Sequence, residues 1–233
     1  MNKLMDQNIV LDKDAHEYSL LTQTDLVFTS VTTFIDQFFE GFDSKKIATN
    51  LVETNPRYAG RTVESLIAEW AATGEHGTQI HDEIDNWIKN GIEPIETKAI
   101  NGKKWLQNYK LKSDINVLSE VIVYSTDLKI AGTMDILALD KTTGRYELID
   151  WKTSKKIKTV SYGYKMGTSR ATDAVMDCNF NHYALQLSLY RYLLENYYDI
   201  DVNNQLIVHL QDDGARSLVA PYMQDHIVAM LNN

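Results

Sequence analysis

Apolar positions recur with a helical period in several stretches of the chain. Val63, Leu66, Ile67 and Trp70 share one face of a helix predicted over 62–72. Ile80, Ile84, Trp87 and Ile88 do the same over 78–90, with Gly91 as the stop. The glycines at 74 and 77 predict a break between the two. Leu185, Leu189 and Leu193 form an i, i+4, i+8 stripe on a helix over 181–198. Ser30 reads as the N-cap of a helix reaching about residue 40. Further helices are expected over 44–53, 96–111 and 221–231. Period-2, β-branched patterns predict strands over 116–124, 129–139, 145–152 and 205–210. A short hairpin is expected over 17–29, with arms 18–21 and 26–29. The segment 161–177 has no period and reads as a loop.

From the helix at 96 to residue 211 the order is α-β-β-β-α-β. That is an α/β core with a central mixed sheet and extra N-terminal helices. The chain has 233 residues, 44% of them hydrophobic, enough for one large packed domain. No repeat, low-complexity tract or linker divides it, so residues 1–233 are expected to form a single domain. Within it, 1–95 would be a hairpin and helical region, 96–211 the core and 212–233 a C-terminal helix.

The segment 131–152 carries the most specific chemistry. Its two strand-like arms flank the turn residues 140–144. If Thr142 and Thr143 form a two-residue turn, Asp135 lies opposite Asp150, with Cβ atoms about 5 Å apart. Lys152 then points to the face of Asp150, and Trp151 to the other. Two carboxylates that close repel, and one keeps a proton unless a cation joins them. A divalent metal removes the conflict, and a lysine beside it can act on a water or a phosphate oxygen. Such a trio suits phosphodiester cleavage.

Charge refines this. The net charge is −9, which by itself argues against a polyanionic partner. Yet residues 151–172 hold six basic residues and no acid, and 97–113 hold five more and no acid. The other 12 basic residues face all 32 acids, leaving −20 outside those stretches. The two stretches read either as a nucleic-acid surface, with Tyr162 and Tyr164 available to stack on bases, or as two solvated lysine-rich faces. The single cysteine, Cys178, excludes an internal disulfide and a four-cysteine zinc or iron–sulfur site. No P-loop, dinucleotide fingerprint or supported Ser/His/Asp arrangement is present.

With these residues in place, the chain resembles the PD-(D/E)xK nuclease superfamily in its RecB-like exonuclease branch. Gly132-Thr133-Met134-Asp135 is similar to that branch's GxxD motif, Asp150-Trp151-Lys152 to its (D/E)xK motif, and Gln186 to Tyr190 to its QxxxY motif. Gly77 to His81 resembles the upstream helix start that carries a metal-binding histidine. Glu120 falls where many members carry a further acid. Ile149 to Ser154 and Ser30-Val31-Thr32 are similar to segments of the mitochondrial genome maintenance exonuclease and its phage-encoded relatives. Each motif alone is weak, and five in order on the right elements are specific. Lacking four cysteines, the chain would belong with members that have no iron–sulfur cluster.

The resemblance implies a restriction-endonuclease-like core and a metal-dependent deoxyribonuclease. Its action would be exonucleolytic, on single-stranded DNA or frayed ends, in replication, repair or recombination and beside proteins of those processes. Asp135 and Asp150, with the Trp151 carbonyl, would hold Mg²⁺ or Mn²⁺, and Lys152 would position water or stabilise developing charge. His81 reads as a further ligand or as a satisfied half-buried histidine. Glu120 reads as a ligand or supporting acid, or as a solvated strand-end acid. Gln186 and Tyr190 share a helix face and would line the site, against a reading as core-edge residues. Thr153, Ser154, Lys155 and Lys156 would bind phosphates, against a reading of Thr153 and Ser154 as a strand end. His182, one turn before Gln186, falls on the same rim. Rival functions are a structure-specific endonuclease with the same trio and a non-catalytic DNA-binding adaptor. No membrane-spanning run or leader segment is legible. The expected location is a bacterial or phage-host cytoplasm, with a mitochondrial one as the alternative.

Overall fold

The computed structural model describes residues 3–13 and 15–233. Its elements are β1 (Ile9–Asp12), β2 (Glu17–Leu20), β3 (Thr29–Ser30), α1 (Val31–Asp36), α2 (Ser44–Thr54), α3 (Val63–Asn90), α4 (Thr97–Lys110), β4 (Ile115–Ser125), β5 (Ile130–Asp140), β6 (Arg145–Lys152), α5 (Asn179–Tyr197), β7 (Val202–Gln211), β8 (Gly214–Val219) and α6 (Gln224–Leu231). The result is an α/β fold in which helices flank a central mixed sheet. β4, β5 and β6 are antiparallel, β7 joins β6 in parallel, and β8 closes the edge as a hairpin with β7. The connection from β6 to β7 runs through α5, as a parallel pair requires.

Each face of the sheet carries its own core. On one, α1, α5 and α6 bury Val31, Ile35, Leu185, Leu189, Leu193 and Ile227 against Val121, Leu137 and Leu148. On the other, α3 and α4 bury Ile80, Ile84, Leu106 and Tyr109 against Ile136, Ile149 and Trp151. The alternation along β6, with Leu148 on one core and Ile149 and Trp151 on the other, is the period-2 pattern of a strand covered on both faces.

β5 is the hub. β4 pairs along one of its edges from Ile130 to Asp140. The other edge is shared: β3 pairs in parallel with Ile130 and Ala131, and β6 pairs with residues 136–140. The two diverge and leave β5 free of ladder partners on that edge from Gly132 to Asp135. The sheet therefore forks at the GxxD segment.

Several expectations are corrected. α3 does not break at its glycines but runs through them for 28 residues. A glycine inside a helix costs only about 1 kcal/mol. The Thr62 hydroxyl caps the start by accepting from Ser65 N, Gly91 ends the helix at φ 69°, and Leu66, Ile80 and Ile84 anchor it. The N-terminal hairpin pairs β1 with β2, while the expected second arm ends in β3 beside β5. α1 starts at its Ser30 cap but stops at Asp36. Beyond it the Phe38 carbonyl accepts from Thr168 N and the Thr172 hydroxyl, both at 2.9 Å, so the chain turns to a different partner. The 212–233 segment contains β8 as well as a helix, which begins at Gln224. The β5–β6 turn has four residues, 141–144, with Gly144 at φ 72°, yet Asp140 still pairs with Arg145, so the register is the one anticipated. Among the described residues, no helix is long and apolar enough to cross a membrane.

Candidate metal and phosphodiester site

The fork and the seam between the two cores coincide, and the candidate residues meet there. On β4, Leu118 and Val121 both pack on the α5-side core although they are three residues apart. On β5, Met134 and Leu137 do the same. Strict alternation forbids this, so both strands change phase at the rung between Ser119↔Ile136 and Val121↔Met134. Glu120 and Asp135 occupy that rung. Glu120 absorbs the change with a left-handed backbone, φ 49°, a conformation that costs a non-glycine residue about 1 kcal/mol or more and is concentrated at functional sites.

His81 arrives from α3. A Cβ on Gly77 would lie 2.9 Å from the Thr153 hydroxyl, so this glycine lets α3 approach the end of β6. One turn later, His81 Nδ1 lies 3.3 Å from Asp135 Oδ1. Ligand atoms of His81, Glu120 and Asp135 all lie within 4.8 Å of one another. The other Asp135 oxygen, Oδ2, accepts from Trp151 N at 2.7 Å, so β6 and β5 are tied together across the fork by the carboxylate itself.

Asp150 and Lys152 form the second half. Asp150 is 4% exposed. Its Oδ2 lies 2.7 Å from Lys152 Nζ as an ion pair and has no other partner among the described residues. Its Oδ1 accepts from Gln186 Nε2, while Lys152 Nζ donates to Gln186 Oε1, both at 3.3 Å. The ammonium also sits 4.6 Å from the centre of the Tyr183 ring. Tyr190 is 3% exposed and donates its hydroxyl to the Thr133 carbonyl at 2.8 Å, satisfying one of the backbone groups left open by the fork. Gly132 makes room for it, since a Cβ there would meet the Tyr190 ring at 2.7 Å.

Titration reflects the crowding. Burial, with Asp135 nearby, pushes Glu120 up to about 7. Burial also pushes Asp150 up to about 6, a rise that Lys152 restrains and Asp135 reinforces. Asp135 goes the other way: burial would raise it, but His81 and Lys152 hold it below the usual carboxylate range. Burial opposes charge on His81, and Asp135 outweighs that and raises its pKa. Two acids that resist ionising beside a third that stays charged mark a site crowded with carboxylates.

The sequence-derived trio thus stands in two linked groups. Asp135 joins His81 and Glu120, whereas Asp150 is held by Lys152 and Gln186. Thr153 and Ser154 follow β6: the Thr153 carbonyl accepts from Lys98 Nζ at 3.0 Å, and the Ser154 hydroxyl is buried without a partner. Lys155 and Lys156 are exposed. Of the lysines on α4, Lys98 reaches the end of β6, and α4 itself packs on the α3-side core. His182 accompanies Gln186 on the rim of a cavity of about 350 Å³ lined also by Thr32, Asp36, Asp177 and Tyr183. Its ring nitrogens lie 2.9 Å from Asp177 and 3.6 Å from Asp36.

Two contributors escaped the sequence reading. Tyr183 stands one turn before Gln186 on the same helix face, and that i, i+3 spacing was a usable signal. Tyr18 shares a hydrogen bond of 2.9 Å with the Thr133 hydroxyl across 115 residues, which no local pattern announces.

No protein-family model matches the chain, and none of the curated proteins does. The crystal structure of SSO0001 is similar over 88% of this chain and 73% of that one, at 13% identity and a TM-score of 0.38. A likeness that loose says nothing about chemistry.

Proposed function

We propose that the protein is a metal-dependent DNA exonuclease with a restriction-endonuclease-like core, acting on single-stranded DNA or frayed ends. The observation that carries the reading is the convergence of His81, Glu120 and Asp135 beside the buried Asp150–Lys152 pair, at a fork in the sheet. The order α4-β4-β5-β6-α5-β7 agrees with the core that the motif resemblance implies.

The donor set fits a divalent cation. One imidazole and two carboxylates within ligand spacing suit Mn²⁺, and the carboxylates alone suit Mg²⁺. Asp150 Oδ2, which lies 2.7 Å from the Lys152 ammonium, is a further acceptor that a cation could share with that lysine. His81, Glu120, Asp135 and Asp150 would hold the ion, which supplies a Lewis acid that lowers the pKa of water and offsets phosphate charge. The Trp151 N–H fixes one oxygen of Asp135 and leaves the other toward His81. Lys152, aimed by Asp150 and Gln186, places a positive charge where an attacking water or a phosphate oxygen gathers negative charge. The Tyr183 ring face, 4.6 Å from that ammonium, helps hold it in its charged form.

The test is cleavage of end-labelled linear and circular single-stranded DNA in Mg²⁺, Mn²⁺ or EDTA. Wild type should degrade the linear strand with metal and spare the circle. Asp150→Ala and Lys152→Met should each lose at least about 100-fold in rate. Lys152→Met keeps the buried stem, and Asp150, already pushed up to about 6, can take a proton in place of its lost partner. Cutting of the circle would replace the exonuclease by an endonuclease. Full activity in Lys152→Met would remove Lys152 from the chemistry.

A further inference from the structure

Between β6 and α5 the chain leaves two aromatic rings in water. Tyr162 is 91% exposed and Tyr164 75% exposed. They flank Gly163, and Gly163 and Tyr164 have consecutive positive φ values of 68° and 54°. A tyrosine seldom adopts this backbone, so the turn is held in place rather than merely tolerated. The hold is visible: the buried Ser161 donates its hydroxyl to the Lys165 carbonyl at 2.7 Å. Both ends of the segment are pinned to the start of α5. Lys158 N donates to the Asn179 side chain at 2.7 Å, Phe180 N donates to the Lys158 carbonyl at 3.2 Å, and Asp177 N donates to the Lys165 carbonyl at 2.9 Å.

That anchorage ties the segment that carries the tyrosines to residues of the cavity wall. Asp177 and Asn179 line that cavity, and so does Gln186, which touches both Asp150 and Lys152. Charge agrees with an anionic strand: of the six basic residues in 151–172, Lys152 pairs with Asp150 and Lys165 with Glu40, which leaves an excess of positive charge on the exposed stretch before the rings. Lys155, Lys156 and Lys158, all exposed, precede the two rings in the chain.

We propose that Tyr162 and Tyr164 form a base-stacking platform for single-stranded DNA, with the neighbouring lysines on its phosphates, on the segment tied to the cavity whose wall includes Gln186, the partner of Lys152. The proposal rests on the nuclease reading for its orientation but makes a separate claim about binding. Every base presents an aromatic face, so such a platform binds without regard to sequence, which suits an enzyme that proceeds along a strand.

The experiment is fluorescence anisotropy of a labelled dT20 strand with the full chain in EDTA, where metal-dependent turnover is off. Each stack lost should weaken binding roughly 5- to 150-fold, so Tyr162→Ala/Tyr164→Ala should weaken it by at least about 10-fold. Tyr162→Phe/Tyr164→Phe should bind within about 2-fold of wild type, because the ring face and not the hydroxyl does the stacking. An abasic strand of the same length should bind wild type as weakly as dT20 binds the alanine pair. The exposed positions leave folding untouched, and an unchanged thermal melt confirms it. Equal binding by wild type and the alanine pair overturns the platform. So does a phenylalanine pair as weak as the alanine pair, or no binding by wild type. Cleavage in Mn²⁺, scored separately, tells the two claims apart. Tyrosine-dependent binding without cleavage sinks the nuclease reading and keeps the platform, and cleavage with unaltered binding does the reverse.

Discussion

Glu120 shows the site's conflict in one residue. Its left-handed backbone strains β4, and its carboxyl, pushed up to about 7, resists the charge that a metal would need. Glu120→Gly removes both costs. The metal-free variant should gain about 1 kcal/mol, raising Tm by about 2–4 °C, while Mn²⁺ should stabilise it less than it stabilises wild type. The pH dependence has a definite sign. A group whose folded pKa lies above its unfolded value contributes fully below the unfolded value and loses that contribution as pH rises through the folded one. Glu120 is raised from 4.5 to about 7, Asp150 from 3.8 to about 6, and His81 is raised above 6.5. All three act alike, while the lowered Asp135 is already ionised above pH 5. In EDTA, Tm should therefore fall between pH 5 and pH 8, and fall less in Glu120→Gly. Because metal displaces those protons, the Mn²⁺-induced rise in Tm should be larger at pH 8 than at pH 6. A calorimetric Tm that climbs with pH in EDTA would contradict this account of the site.

At the scale of elements, α3 does the positioning, and its glycines separate propensity from packing. A Cβ at Gly74 meets nothing within 4 Å, whereas one at Gly77 comes within 2.9 Å of the Thr153 hydroxyl. Gly74→Ala should stabilise the protein by about 1 kcal/mol. Gly77→Ala gains the same propensity but pushes α3 off the end of β6 and draws His81 from Asp135, so Mn²⁺ affinity by calorimetric titration should drop roughly 10-fold. Unchanged affinity in Gly77→Ala would free His81 from dependence on that contact. The same helix marks where local reading ends. Asp135, Asp150 and Lys152 were legible because a hairpin fixes their relation through a period of two and one turn, all within 22 residues of sequence. The continuity of α3 was not, because its caps and three buried anchors outweigh two glycines and the weighing requires the packed sheet. β8 has no period-2 alternation to announce it, since Arg216, Ser217, Leu218 and Val219 are all exposed, although Asp212-Asp213-Gly214 after an apolar strand is a hairpin signal. The end of α1 and the role of Tyr18 rest on hydrogen bonds across more than 100 residues, beyond any local pattern.

For the molecule as a whole, charge is sorted by the faces of the sheet. Lys155, Lys156 and Lys158 lie exposed on the segment that joins β6 to α5, close to the cavity. Lys104 and Lys110 are also exposed, but on α4, whose buried side packs against Ile149 and Trp151 across the sheet from Gln186. A net −9 does not by itself oppose the proposed DNA binding, because residues 151–172 carry six basic residues and no acid, although Asp36 and Asp177 line the adjoining cavity. Screening separates the two lysine groups. Each phosphate contact to a single strand contributes about −0.7 to the slope of log affinity against log salt. Lys155→Gln/Lys156→Gln should flatten that slope by about 1.4, whereas Lys104→Gln/Lys110→Gln should leave it unchanged. Both double variants alter net charge equally, so a general field would flatten the slope equally in each. Titrations of a labelled single strand across a range of salt concentrations decide between a localised track and a diffuse attraction. Equal slopes in the two variants would mean that DNA does not follow the face on which Lys152 and Gln186 open.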